Sequence, residues 1–516
     1  MHQRRWTGPR CYWFLLSVFA VSVLIVPFLL YPARKTSTQP PPPKLKTELL
    51  QLDPASLKAV ASAESSLNAL LARQSQTLTQ AEARYSLTAG RLPPPNFDKW
   101  FSFAKEKNCL IDEYVQIYRD FEPFYRLAID QPLHFQNTIE KGKAMETKGL
   151  KPKKQEAVGM MAIAFKDGVL KMPSYRGTTY ATDLPRTLTR FAFLLPDLEF
   201  LLNGRDEPRV VFNVRDRGAQ ERAAETKDPH PFHNAPNSTS AFFKIQSGCN
   251  ITSKANGFVT DESDHISFLL ASSSSDFTTD FWPLLSMTKL SPCFSDILFP
   301  AQYYYRTSRW SPKFGANNIA WSNKTAQLYW RGSSNGGRIF GDNYHAFPRF
   351  RLVALARNHT TLINAKMTSF VNGHCKDECN SSRITTEYDI TGPMAPRREM
   401  LKYKYLFDVD GNTFSGRFLG LLRSGSLVFK STVFEEYFNN WILPYEHYVP
   451  VKPDLSDLVQ KIEWAIAHEE EARRIQETGK LFAERVMTDA QNDCYFAAVL
   501  LEWARLQNYA NTSAEH

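Results

Sequence analysis

Residues 402–422 constrain what this chain can fold into more than any other segment. The run Lys402-Tyr-Lys-Tyr-Leu-Phe407 is apolar and aromatic-rich, which predicts a short buried strand, and Asp408-Val-Asp-Gly411 leads it into a polar loop. Beyond the loop, Phe418, Leu419, Leu421 and Leu422 are spaced as one face of a helix. Strand, polar loop and helix start is the arrangement with which α/β proteins bind phosphate. Free backbone N–H groups point at the anion, and a neighbouring Arg, here Arg417, can fork onto it. Further strands predicted at 210–214, 427–430 and 447–451 alternate with helices at 347–356 and 493–506. Another helix, capped by Asp454, carries Leu455, Leu458, Ile462 and Ile466. That alternation implies parallel α/β sheets.

Ahead of this part, residues 11–31 contain no charged side chain and are long enough to cross a bilayer core. Bulky Phe28, Leu29, Leu30 and Tyr31 stand where a cleavable signal needs small residues. Arg4, Arg5 and Arg10 precede the run and keep the N-terminus cytosolic, so the expectation is an uncleaved, single-pass type II anchor with the rest of the chain lumenal. A polyproline spacer, Gln39-Pro-Pro-Pro-Pro43, follows. Residues 45–87, with loosely periodic leucines, fit a helical stalk able to self-associate and fit a flexible stem equally well. Aromatic and aliphatic residues from Trp100 to Phe124 have helical spacing and open the globular part. Residues 217–285 are polar and read as an insertion or long loops.

The chain has seven cysteines. Cys11 lies within the expected span; Cys109, Cys249, Cys293, Cys375, Cys379 and Cys494 form an even set suited to disulfides in an oxidising lumen, with open connectivity. Cys375 and Cys379 with His374 could also ligate a metal, but no second ligand pair follows at zinc spacing. Asn-x-Ser/Thr sequons at Asn237, Asn250, Asn323, Asn358, Asn380 and Asn511 agree with a lumenal location. The net charge of +9 is scattered, with no basic stripe interleaved with aromatics, which argues against nucleic acid as a partner. No Walker loop, Gly-x-Ser-x-Gly elbow or His-Glu-x-x-His is present.

Four blocks, in order, resemble the capsule-associated glycosyltransferase family, which includes fungal capsule xylosyltransferases and animal protein O-glucosyltransferases. They are Val211-Phe-Asn-Val-Arg-Asp216, Tyr329-Trp-Arg-Gly-Ser333, Lys402–Phe407 with Ser415–Phe418 and Ser424-Gly-Ser-Leu-Val-Phe-Lys430, and Trp441–Lys452 with Asp454-Leu455. The resemblance covers roughly residues 191–506. It implies a GT-B-like α/β architecture, two Rossmann-like lobes with a cleft between them. Residues 1–10 would be a cytosolic tail, 11–31 the anchor, 32–96 stalk and linker, 97–322 an acceptor-side lobe and 323–510 a nucleotide-sugar lobe.

The resemblance also implies site roles. Asp216 ends a predicted strand, where open α/β sheets carry their chemistry. On its residues alone it reads better as a loop Asp paired with Arg215 or Arg217; the resemblance makes it the catalytic base. Arg331, Gly332 and Ser333 match the loop that holds the nucleotide diphosphate. Animal members carry a second Arg where this chain has Ser334, and Arg338 is the nearest substitute. Ser415 and Arg417 match the diphosphate-binding segment, although an Arg at a helix start can equally pair with Asp408 or Asp410. Asp408-Val-Asp410 resembles the Asp-x-Asp of metal-dependent glycosyltransferases of the other major fold, where carboxylates hold Mn2+; a metal-free reaction without cofactor is the favoured expectation.

The implied activity is an inverting transfer of xylose or glucose from a UDP-sugar to a hydroxyl of a glycan or glycoprotein, in the Golgi or endoplasmic reticulum membrane. The anchor, the stalk and an ending Ser-Ala-Glu-His unlike a Lys-Asp-Glu-Leu signal favour a Golgi glycan enzyme over a protein O-glucosyltransferase. A non-catalytic glycan-binding scaffold of the same fold is the other alternative.

Overall fold

Asp53 opens the first helix by accepting from the backbone N–H groups of Ala55 and Ser56. The computed structural model describes residues 50–149, 160–172, 183–210, 232–234, 276–278, 281–291, 294–307, 319–337, 339, 341–375, 379–392 and 395–514. The expected anchor at 11–31 lies outside them; no helix among the described residues is long and apolar enough to cross a membrane.

Helices α1 (Pro54–Ala72) and α2 (Leu78–Ala89) lie in the stretch expected to be a stalk. That expectation is corrected for residues 54–89. Leu52 and Val60 pack in one apolar core, while Leu67, Ala81 and Tyr85 pack in the other. Burial of these side chains outweighs the weak helical pattern that suggested an isolated rod. Polar contacts fasten the segment further. Ser75 N–H donates to Asp112 at 2.6 Å, and Arg505 donates to the Tyr85 hydroxyl at 2.6 Å.

The helical spacing between Trp100 and Phe124 resolves into α3 (Phe97–Glu106) and α4 (Val115–Asp130), followed by α5 (Pro132–Gly149). A first five-stranded sheet comprises β1 (Met160–Lys166), β2 (Val169–Lys171), β3 (Leu198–Asn203), β6 (Leu285–Ser286) and β7 (Ile297–Leu298), with α6 (Leu184–Thr189) between β2 and β3. Its order is β2-β1-β3-β6-β7: β1 runs antiparallel to β2 and β3, while β6 and β7 run parallel to β3. Strands β4 (Phe232–Asn234) and β5 (Asp276–Thr278) form a separate antiparallel pair.

The second sheet is wholly parallel, in the order β12-β11-β10-β8-β9. Its strands are β8 (Thr325–Ser333), β9 (Ile363–Ser369), β10 (Tyr403–Val409), β11 (Leu427–Ser431) and β12 (Val449–Pro450). Strand β10 is central and buried from Lys404 to Val409, as a continuous apolar run in a parallel sheet should be. Helices α7 (Pro348–Asn358), α8 (Ser381–Glu387) and α9 (Phe418–Leu422) make the connections, and α10 (Leu458–Ala467) and α11 (Glu469–Arg485) follow β12. Helix α10 starts at Leu458 beyond Asp457 rather than at Asp454, because Leu455 has φ +59° and interrupts the helical path. Asp454 instead accepts from Ser456 N–H in a local turn.

The last helix, α12 (Asp489–Ala514), returns to the first sheet's side and packs on α3, α4, α5 and β3. The Cys109–Cys494 disulfide, Trp100 Nε1–H to Cys494 O at 2.9 Å and Trp503 Nε1–H to Glu199 O at 2.7 Å fix it there.

Candidate active site

The carboxyl edge of the second sheet collects the predicted phosphate-binding residues. Arg331-Gly332-Ser333, expected in a loop, are instead the last three residues of β8, because pairing with β9 continues through Ser333 past a register shift. Alternation along β8 puts Trp330 and Gly332 on one face and Tyr329 and Arg331 on the other. A Cβ at Gly332 would stand 2.5 Å from the Trp330 ring, so only glycine fits there. Arg331 lies over the Tyr329 ring, 4.5 Å from its centroid, and donates to Asn364 Oδ1 at 2.7 Å and Asn364 O at 2.8 Å.

Between β10 and α9, Gly416 backs onto the Tyr303 ring, which a Cβ would meet at 2.6 Å. The half-buried Arg417 is then directed across the sheet edge to donate to Arg331 O at 2.9 Å, with its guanidinium 5.8 Å from the centre of the Trp330 ring. Its Nη2 is buried and has no acceptor among the described residues. The alternative pairing of Arg417 with Asp408 or Asp410 is not made. Asp408 binds Lys430 at 2.9 Å, and Asp410 accepts from Val433 N–H at 3.0 Å. Burial lowers the Arg417 pKa, and Asp408 partly offsets this.

A third guanidinium was not singled out in the sequence. Arg349, 8% exposed, donates from Nε to Asp410 O at 2.9 Å and from Nη1 to Ser333 O at 3.1 Å, tying the ends of β8 and β10 together. It also lies 5.6 Å from the Trp330 ring centre. Burial and then repulsion from Arg417 bring its pKa down to about 9, so it stays cationic at neutral pH. The readable signal was its position: Arg349 begins the inward stripe Arg349, Leu352, Val353, Ala356 of α7, where a charge is costly unless paired.

Tyr329, Arg331, Gly332, Ser333, Arg397 and Arg417 line a cavity of about 320 Å3 at this edge. Ser415 is not among the lining residues; it is buried with an Oγ that has no partner among the described residues, and its carbonyl accepts from the Tyr304 hydroxyl at 3.4 Å. Tyr304 also donates to the buried Glu436. Burial pushes Asp410 up to about 7 and raises Glu436 as well. Arginines whose protein partners are neutral carbonyl and amide oxygens keep their charge for an anion, and their forked donors suit a diphosphate.

Asp216 and Arg338 lie outside the described residues. Val210, where the predicted strand before Asp216 begins, is held by Asp296, with Val210 N–H to Oδ2 at 2.9 Å, and by Ser295 N–H to Val210 O at 3.0 Å. Among the described residues no group of three or more His, Cys, Asp or Glu could hold a metal ion. Cys375 and Cys379 are joined in a disulfide, which removes them as the metal ligands considered with His374.

Residues 283–516 match the model of glycosyl transferase family 90. The match begins after Asp216, so the Val211–Asp216 block stands outside it. The chain is 31% identical over 197 residues to protein O-glucosyltransferase 2 of Danio rerio, covering 37% of this chain and 35% of that protein. It is 30% identical over 196 residues to protein O-glucosyltransferase 3 of Homo sapiens, covering 38% and 35%. It is 26% identical over 248 residues to human protein O-glucosyltransferase 1, covering 44% and 58%. The chain thus spans about a third of the length of the first two and just over half of the third. Residues 283–516 are thus similar to glycosyl transferase family 90, in keeping with the resemblance read from the blocks around Arg331 and Arg417.

Proposed function

We propose that the protein is an inverting, UDP-sugar-dependent glycosyltransferase of two-lobed GT-B type, acting without a metal. The observation that carries this is the unpartnered guanidinium edge of Arg417, set beside Arg331 and Arg349 on a parallel sheet's carboxyl edge. In this reading Arg331, Gly332, Ser333, Ser415 and Arg417 bind the donor, with Arg349 holding the strand ends and adding positive charge. The acceptor hydroxyl loses its proton to Asp216 as its oxygen attacks C1 of the sugar. The bond from C1 to the diphosphate oxygen breaks, and UDP leaves with the electron pair, stabilised by preorganised arginines.

The names of the similar proteins support a protein hydroxyl as acceptor and glucose as the transferred sugar; xylose and a glycan acceptor follow from the capsule-enzyme side of the resemblance. The disulfides Cys109–Cys494 and Cys375–Cys379 support an oxidising compartment, in keeping with an anchor at residues 11–31 and a lumenal Golgi or endoplasmic reticulum location. The test is to incubate the full chain with a panel of UDP-sugars and follow UDP release with and without acceptors. Release from one donor supports the reading; UDP binding without turnover on any donor would leave a glycan-binding scaffold instead.

A further inference from the structure

A larger cavity, about 410 Å3, shares no lining residue with the donor-site cavity. It lies between α4 and residues Lys289, Ser291, Phe294 and Ser295, with Glu435 at one end. Backbone pairing of Lys289 with Glu435 in both directions, at 3.0 and 2.7 Å, holds that end in place. At its base, Lys289 and Asp120 neutralise each other as a buried pair, and the second Asp120 oxygen accepts from Leu298 N–H at 3.0 Å. The rim carries Arg119 and Arg126 against Glu122 and Glu435, two charges of each sign. Arg119 has only neutral partners, Gln116 at 2.7 Å and Asn440 at 2.8 Å. Phe294 and Pro123 supply apolar wall.

We propose that this cavity binds a neutral saccharide. With Arg119, Arg126 and Lys289 balanced by Asp120, Glu122 and Glu435, its lining carries no net charge to favour an anion over a cation. It is nevertheless rich in both donors and acceptors, and hydroxyl groups both donate and accept. Apolar wall beside such groups suits the C–H face of a sugar ring, and the volume lies in the range of small-ligand sites. The site stands independently of the sugar-transfer reading. If that reading holds, it gives the enzyme a place for a sugar of a glycan acceptor. Glu435 is the chain neighbour of Glu436, which supports Ser415 through Tyr304.

The test uses the full-length chain and saturation-transfer NMR with maltose, lactose, xylobiose and mannobiose, beside a uronic-acid disaccharide and a glucosamine disaccharide. At least one neutral disaccharide should bind, with an affinity unaffected by saturating UDP. Combined Arg119→Ala and Arg126→Ala, both at exposed positions, should weaken it about tenfold, since one or two charge-assisted bonds are lost. The melting temperature should stay unchanged. Absence of binding by every neutral disaccharide, displacement by UDP, preference for a charged disaccharide, or unchanged affinity in the double variant would each overturn the proposal. Disaccharide binding by a chain that binds no UDP would sink the transferase reading and leave this one standing.

Discussion

Two sets of buried polar groups, one beside each sheet, are partnered in different ways. Beside the first sheet, Asp296 is fully buried and accepts from Arg209 N–H, Val210 N–H and the Ser286 hydroxyl; Asp120 is likewise matched by Lys289, Gln116 and Leu298 N–H. At the carboxyl edge of the second sheet, Arg417 Nη2, Ser415 Oγ, Asp408 Oδ1 and Asp410 Oδ1 are buried with no partner among the described residues. Matched groups hold a fold together, whereas a cluster of unmatched ones leaves room for something from outside. The difference separates the Asp296 and Asp120 networks from the Arg417 edge, although single unpartnered atoms, Gln302 Nε2 and Tyr495 Oη, also occur on the first sheet's side.

The largest test of that contrast is Asp216, which falls in the chain between β3 and β6 of the first sheet and which the proposed function makes the catalytic base. Asp216→Asn should lower turnover about 10²–10⁴-fold while UDP affinity stays near normal, because only the general base is removed. Retention of most of the turnover, in steady-state assays with saturating donor, would return Asp216 to a structural role.

Next is Asp296→Ala, which strands three donors in an apolar interior. Unfolding in urea should show a loss of roughly 3 kcal/mol or more, at about 1–3 kcal/mol per orphaned group with partial relaxation. A loss below about 1 kcal/mol would mean the first sheet's polar matching is dispensable.

Arg417→Ala should behave the opposite way. It breaks one hydrogen bond, to Arg331 O, so stability should hardly move, but UDP affinity measured by calorimetry should fall about ten- to a hundredfold, or roughly 1.5–3 kcal/mol. A variant that loses stability and keeps its UDP affinity would put Arg417 among the structural groups.

The smallest effect comes from His447, which lies under α11 and accepts from Leu443 N–H through Nδ1. Burial lowers its pKa from 6.5 to about 4. The unfolded chain therefore takes up the proton first, and stability contributed by the neutral ring falls as pH drops from 6.5 towards 4. The slope should be about 1.4 kcal/mol per pH unit at most. Denaturant titrations of His447→Gln at several pH values should show that slope flattened; an unchanged slope would assign it to other groups.

Much of the second sheet was legible because its signals are local. Tyr403–Val409, Leu427–Ser431 and the Ser415–Arg417 turn carry their pattern within a few residues. Arg349 was not legible as a site residue, since its partners, Ser333 O and Asp410 O, are 16 and 61 residues away. Nor was the docking of α1 and α2, whose weak stripes acquire meaning only against surfaces made by distant helices. The Arg-Gly-Ser segment looked like a loop because small residues favour turns, but pairing with β9 keeps it in the strand.

By itself the sequence determined the parallel α/β character, the similarity of residues 283–516 to glycosyl transferase family 90 and the identity of the cationic segments around Arg331 and Arg417. Those properties reside in periodicity and in short ordered blocks, which need no partner to be read. Only the tertiary structure decided that Arg417 reaches Arg331 O, that Arg349 ties β8 to β10, and that the helices at 54–89 belong to the body. It also decided which buried charges are neutralised and which are left open. A charge's effect depends on its distance to other charges and on the water excluded around it, and both are set when remote segments pack together.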